Sequence, residues 1–75
     1  MGTSRFVPGS RHLVTSGFLA VRSSDGTKQF VTIPRGTIVE IAGMAPGDDM
    51  VLINSRGRLL MAFRRDIEER AQPAV

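Results

Sequence analysis

The sequence has no cysteine, no tryptophan and no tyrosine, and only one histidine. The missing thiols exclude disulfide bonds, which stabilise many small domains, and leave zinc without its usual ligands. No apolar run is long enough to span a bilayer. Because residues 1–10 also lack the apolar core of a secretion signal, we expect a cytoplasmic protein.

The short length of the chain suggests that an oligomeric interface contributes to its stability. A chain of 75 residues corresponds to one domain. A domain of this size buries only about 60% of the surface that its unfolded chain exposes, so its stability is marginal. Since neither disulfides nor a structural metal is available, self-association is the remaining stabiliser that small domains commonly use.

Turn signals divide the chain into short runs that are rich in β-branched and aliphatic residues. These signals are Pro8-Gly9, Ser24-Asp25-Gly26, Pro34-Arg35-Gly36, Pro46-Gly47-Asp48 and Arg56-Gly57. Short strands between regularly spaced turns are typical of a small sandwich or barrel, so the pattern predicts an all-β domain. The five predicted strands span residues 12–22, 28–33, 37–42, 50–54 and 59–64.

The segments between the strands also carry structural predictions. Gly17 indicates a bulge or bend in the first strand, and residues 23–27 are expected to form a polar loop. The sequence favours a type I turn at 33–36, a type II turn at 45–48 and a helical turn at 67–70 capped by Asp66. We therefore expect a flexible segment at 1–10, the barrel at 11–70 and a frayed tail at 71–75.

The hairpin at Arg56-Gly57 allows two strand registers. A two-residue loop pairs Ile53 with Leu60, whereas a three-residue loop pairs Ile53 with Leu59. We favour the three-residue loop, because it gives one coherent apolar face and turns the arginines outward. It predicts a core of Val39, Ile41, Val51, Ile53, Leu59, Met61 and Phe63, joined by Val31, Ile33, Ile67 and either Phe18 or Leu19.

A second apolar strip is expected on the outer face of the same strands. An antiparallel sheet with one solvated face alternates apolar and polar residues more cleanly than this chain does. The strip therefore implies a cover, which is either the N-terminal segment, with Phe6, Val7, Leu13 and Val14, or a second copy of the chain. The candidate interface residues are Ile38, Leu52, Leu60 and Ala62.

Three sequence features, in this order along the chain, form a recognisable pattern of strands and turns. They are the stretch Val31-Thr32-Ile33-Pro34-Arg35-Gly36-Thr37-Ile38-Val39-Glu40-Ile41, the tight turn at Arg56-Gly57, and Asp66-Ile67. Over residues 28–70 this pattern resembles small bacterial SH3-like barrel proteins of unknown function. The resemblance implies a five-stranded SH3-like barrel in which a helical turn precedes the end segment, and it implies architecture only. The aromatic groove that binds proline-rich peptides is not implied, because tryptophan and tyrosine are absent.

The sequence shows neither a catalytic constellation nor a cofactor motif. His12 lies beside Arg11 and Leu13 with no nucleophile or carboxylate set against it, so we expect a surface histidine. Asp48-Asp49 lacks the oxygen-rich spacing of a metal-binding loop. No glycine-rich segment ends in Lys-Ser or Lys-Thr, as a phosphate-binding loop would. We therefore predict no catalytic, cofactor-binding or metal-binding residues.

The leading hypothesis is a non-enzymatic interaction module that forms a homo-oligomer through the outer strip. The alternative is a basic barrel that binds nucleic acid through residues in or near its loops. Its candidate residues are Arg22, Lys28, Arg35, Arg56 and Arg58. The formal charge of +3 and an expected scarcity of exposed aromatics make it the second choice. An oligomeric enzyme with a shared pore comes third, because one copy offers no catalytic group.

Overall fold

The computed structural model describes residues 6–44 and 49–74. Within these residues the chain forms a series of strands and one helix near the end. Their bounds are β1 Arg11–Val14, β2 Phe18–Ser24, β3 Thr27–Ile33, β4 Ile38–Met44, β5 Met50–Ser55, β6 Arg58–Phe63, α1 Arg64–Arg70 and β7 Ala71–Pro73. The predicted turn at 45–48 lies outside the described residues.

The strands form one antiparallel sheet in the order β3-β2-β6-β5-β4-β1-β7, which confirms the all-β prediction. The described residues form seven strands where the sequence predicted five. The first predicted strand divides into β1 and β2 at residues 15–17, and the C-terminal tail adds β7. The sheet is not closed, and β3 and β7 form its edges.

The break between β1 and β2 occurs where a bend was predicted. A Cβ atom on Gly17 would lie 3.3 Å from the Ile33 carbonyl oxygen, so glycine permits the close approach of two backbone segments there. β4 contains a second irregularity, since its register with β5 shifts between Ile41 and Gly43. Bulges of this kind bend a strand, which suits β4 because it pairs with β1 at one end and β5 at the other.

The hairpin between β5 and β6 has a two-residue loop, so the register favoured from the sequence is wrong. Ile53 pairs with Leu60, and the last pair before the turn is Ser55 with Arg58. Arg56 and Gly57 have φ values of 54° and 80°. Two consecutive residues with positive φ are characteristic of a type I′ turn, which fits the twist of paired strands.

The observed register exchanges the inner and outer faces of β6. Leu60 is only 2% exposed, whereas its neighbour Leu59 is 60% exposed. Ala62 is buried as well, while Met61 is half-buried and Phe63 is exposed. The prediction that Leu59, Met61 and Phe63 form the core is therefore wrong, because a one-residue change in the loop moves each side chain to the other face.

Two other turns differ from their predictions. The segment expected to be a polar loop at 23–27 is mostly strand, because Asp25 and Gly26 alone form a second positive-φ turn between β2 and β3. The turn after β3 lies one residue later than predicted. The Thr37 amide donates to the Pro34 carbonyl, and Gly36 has a φ of 90° at the third position, as in a type II turn.

The core lies on the inner face of the curved sheet. The predicted core residues Val39, Ile41, Val51, Ile53 and Ile33 are all buried. Phe18 is buried and Leu19 is exposed, which settles the choice between them. The core also includes side chains that the sequence did not assign to it, namely Val14, Ala20 and Ala71, besides Leu60 and Ala62.

The helix begins at Arg64, three residues earlier than the predicted helical turn. Phe63 occupies the N-cap position without a side-chain cap, so the prediction that Asp66 caps the helix is wrong. Asp66 instead lies in the first turn, where a negative charge is favourable near the helix N-terminus. Ile67 is buried against the core, in agreement with its predicted place at one end of the domain.

Both ends of the described chain join the fold more than the sequence predicted. Phe6 is a member of the buried core, and the Gly9 amide donates to the Ile41 carbonyl at 2.8 Å. Residues 1–5 lie outside the described residues. The expected frayed tail forms β7, which pairs with β1 through Ala71 and Val14. The correction has a simple cause, since Ala71 follows the helix directly and its apolar side chain completes the core.

The role of β7 can be tested by a pair of neighbouring substitutions. Ala71→Glu places a carboxylate in the core, so we expect it to lower the free energy of unfolding by several kcal/mol or to prevent folding. Gln72→Glu adds the same charge to an exposed position and should change the free energy of unfolding by less than about 0.5 kcal/mol. Urea unfolding measures both values. Equal effects would mean that residues 71–75 fray, as the sequence predicted.

Candidate functional site

The structure brings two of the candidate arginines together at the tip of the β5–β6 hairpin. Arg58 pairs with Ser55, and Arg56 occupies the first position of the turn. The Asn54 side chain closes the turn, because its Oδ1 accepts a hydrogen bond of 3.1 Å from the Gly57 amide. The hairpin tip therefore holds both arginines on an ordered backbone.

The two arginines line a pocket, here called the end pocket, between the hairpin tip and the Pro34–Thr37 turn. Its volume is about 240 Å³. Its apolar wall comes from β3, β6 and the turn, through Val31, Ile33, Pro34 and Leu60. Its lining also includes the hydroxyl residues Thr37 and Ser55, and Thr32 of β3. None of the described residues that line the end pocket is acidic.

The other nucleic-acid candidates lie outside the end pocket. Arg35 is in the adjacent turn, but it is not among the lining residues. Arg22 and Lys28 are exposed on the β2–β3 hairpin, where they pair with Gln29 and Ser23. The structure therefore gathers Arg56 and Arg58 into one site and leaves the other three basic residues around it.

The four candidate interface residues divide between the two faces of the sheet. Ile38 is exposed and Leu52 is half-buried on the outside. Leu60 and Ala62 lie in the core of the chain itself, so they are not available for an interface in the folded domain. This correction follows from the register of β6, which places even-numbered side chains inside.

A different set of apolar side chains occupies the outer face of β3, β2, β6 and β5. We call this set the outer apolar face. Direct strand pairs connect its members, because Phe30 pairs with Val21, Val21 with Met61, and Met61 with Leu52. It consists of Leu19, Val21, Phe30, Leu52, Leu59, Met61 and Phe63.

Four members of the outer apolar face, Leu19, Phe30, Leu59 and Phe63, are exposed, whereas Leu52 and Met61 are half-buried and Val21 is buried among them. Phe30 is 70% exposed and Phe63 is 47% exposed. Both phenylalanines and Leu19 line one shallow groove, which ends at Asp66 and Arg70 of α1. Those two charged residues form an ion pair of 3.4 Å. The described part of the N-terminal segment does not bury this face, because Phe6 packs in the core instead.

His12 is buried, so the expectation of a surface histidine is wrong. Its ring stacks on Phe6 with centroids 6.3 Å apart, and its Nε2 lies 3.3 Å from the Ser10 hydroxyl. The Arg64 guanidinium carbon lies over the Phe6 ring, 5.6 Å from the ring centroid. The Ser10 hydroxyl itself donates to the Val7 carbonyl at 2.7 Å, and the His12 ring packs against Phe6, so these contacts describe a packed core histidine.

The described residues contain no candidate metal centre. Among residues 6–44 and 49–74, no three His, Cys, Asp or Glu side chains come close enough to hold a metal ion. No helix in the described part of the chain has the length and apolar character needed to cross a membrane. No protein-family model, curated protein or solved structure matches the chain.

The turn that carries the two arginines can be tested at Gly57. We expect Gly57→Ala to lower the free energy of unfolding by about 1 kcal/mol, because alanine is strained at a φ of 80° although its Cβ would contact nothing. Gly43→Ala is a matched control, since Gly43 also has open space around its Cα and no positive φ. Urea unfolding compares the two variants. A loss at Gly43 as large as that at Gly57 would argue against the two-residue turn.

Proposed function

We propose that the chain is a non-enzymatic interaction module that associates with a second copy of itself through the outer apolar face. The observation that carries the proposal is the exposure of Phe30, Leu59, Phe63 and Leu19 on one continuous surface. Exposed apolar side chains grouped on one surface mark protein–protein interaction sites in many proteins. In this proposal the outer apolar face itself forms the contact with the second copy.

The size of the outer apolar face sets the strength expected for the interaction. Four strands spaced about 4.8 Å apart, over five residues that rise about 3.3 Å each, cover roughly 300 Å². Stable interfaces bury about 800 Å² on each partner. We therefore expect a weak, concentration-dependent dimer. The outer apolar face supplies less than half of the usual contact area, and the surrounding side chains contribute the rest.

A second copy is the occupant that fits this surface best. In a two-fold arrangement the same patch serves both partners, so an apolar face is complementary to itself. The chain carries a net charge of +3, and charged patches of one sign would repel in such a pair. The outer apolar face avoids that repulsion, because its seven members are all uncharged. Burial of this face would also supply stability that a domain of this size needs.

The proposed architecture behind this surface is an SH3-like barrel. Two features support it. The helix α1 directly precedes the end strand β7, and β7 pairs with β1 near the other end of the chain. β4 pairs with both β1 and β5 and has a register shift between Ile41 and Gly43, as a strand that bends within a barrel does.

The proposed association is tested by two neighbouring leucines with opposite burial. In light scattering across a concentration series, we expect the native chain to move from monomer toward dimer mass as concentration rises. Leu59→Glu should remain folded and stay monomeric, because it places a charge on the outer apolar face. Leu60→Glu should unfold, because it places the same charge in the core.

Circular dichroism separates loss of association from loss of folding in these variants. A native chain that remains monomeric at every concentration would overturn the proposal. A Leu59→Glu variant that dimerises as strongly as the native chain would show that association uses another surface.

Nucleic-acid binding is the second candidate function, and one observation favours it. The edge strand β3 carries the exposed Phe30 two residues from Lys28, and both side chains point to the outer side of the sheet. An exposed aromatic ring beside a cation is the arrangement that stacks and holds single-stranded bases. This surface overlaps the outer apolar face, so the two functions would compete for Phe30.

Binding to nucleic acid is tested by fluorescence anisotropy with a labelled single-stranded oligonucleotide. We expect binding at low salt that weakens steeply as salt is added, because cations on the protein release counterions from phosphates. Phe30→Ala should weaken binding by about fivefold or more, since base stacking contributes on the order of 1–3 kcal/mol. Arg65→Gln on α1 is the control for net charge. No binding at low salt would remove this candidate.

A further inference from the structure

The end pocket contains hydroxyl groups that the fold itself does not use. Ser55 is 6% exposed and Thr37 is 7% exposed, and both line the end pocket. Neither side chain takes part in the side-chain hydrogen bonds of the described residues. No enclosed polar side-chain atom of the described residues lacks a partner, so these two hydroxyl oxygens reach the pocket surface.

A hydroxyl group that opens onto a pocket and has no partner within the protein is free to bond with a molecule in that pocket, which makes the position of these two groups informative. In most proteins such groups find a partner in ordered water or in a bound molecule. Thr37 belongs to the turn after β3 and Ser55 is the last residue of β5, and the fold brings both to the end pocket. The lining of the end pocket therefore includes two residues whose hydroxyl groups have no partner among the described residues.

Arg56 and Arg58 supply positive charge to the same pocket. Guanidinium groups present several N–H donors in a planar fork that matches phosphate and carboxylate oxygens. No described residue that lines the end pocket carries a negative charge to neutralise them there. The ion pairs among the described residues lie on α1, between Arg64, Arg65 or Arg70 and the acidic residues of that helix.

We propose that the end pocket binds the phosphate group of a small phosphorylated molecule. The lining supplies hydroxyl groups from Ser55 and Thr37 and guanidinium groups from Arg56 and Arg58, and the several oxygens of a phosphate can accept from both kinds of donor. The volume of about 240 Å³ exceeds that of one phosphate group and is below the usual range for drug-sized ligands. The apolar wall of Val31, Ile33, Pro34 and Leu60 contacts the organic part of the ligand.

The proposal is tested by NMR titration of the full chain with inorganic phosphate and with glycerol 3-phosphate. We expect saturable shifts of the amide signals of Thr37, Ser55 and Arg56, with tighter binding of glycerol 3-phosphate because it also contacts the apolar wall. Arg58→Gln should weaken binding on the order of 10- to 100-fold, since it removes charge-assisted hydrogen bonds. Ser55→Ala should weaken it about threefold to tenfold.

The controls separate a built site from general attraction of anions. Arg65→Gln removes the same charge from an exposed position on α1 and should leave phosphate binding unchanged. Thr37→Val keeps the shape of the side chain and removes its hydroxyl, so it should weaken binding without loss of the folded spectrum. These readouts do not depend on association, since phosphate binding is measured at the lowest concentration that gives a spectrum.

Four outcomes would overturn the proposal. They are absence of saturable shifts, acetate binding as tight as phosphate binding, equal losses in Arg58→Gln and Arg65→Gln, and shifts that spread to Arg22, Lys28 and Arg35. The last outcome, together with tighter binding of an oligonucleotide than of glycerol 3-phosphate, would assign the arginines to a nucleic-acid surface instead.

Discussion

The two-residue turn before β6 determines which side chains of β6 point inward and which point outward. The outer apolar face and the end pocket both depend on this alternation. With Arg56 and Gly57 at positive φ, Ser55 pairs with Arg58 and the register continues to the end of the strand. Leu60 then completes the core, while Leu59 joins the outer apolar face. One more residue in the loop would exchange the two faces, because successive side chains of a strand point in opposite directions.

The fold class could be predicted from the sequence because its signals are local. Turn residues and β-branched runs locate strands without any knowledge of their neighbours. The register of β6 could not be predicted in this way, since residues 59–63 are apolar at every position and alternation carries no information there. The turn itself was misleading, because a non-glycine residue such as Arg56 is uncommon at positive φ.

The candidate sites were predictable to a smaller extent. Arg56 and Arg58 could be identified because charged residues at a hairpin tip stand out in sequence, whereas Ser55 and Thr37 resemble ordinary turn residues. Their shared pocket exists only because the fold places two distant turns side by side. His12 was missed for a related reason, since its burial depends on Phe6, which comes from a segment expected to be flexible. Its alternation with the buried Val14 was the one local signal.

The outer apolar face and the end pocket use opposite faces of the same strand. Arg58 and Leu60 lie on the inner side of β6 and line the end pocket, while Leu59 and Phe63 lie on the outer side. Contact between two copies through the outer side therefore leaves the end pocket open on each copy. A coupling between the two events would need one of them to change the contacts made in the other.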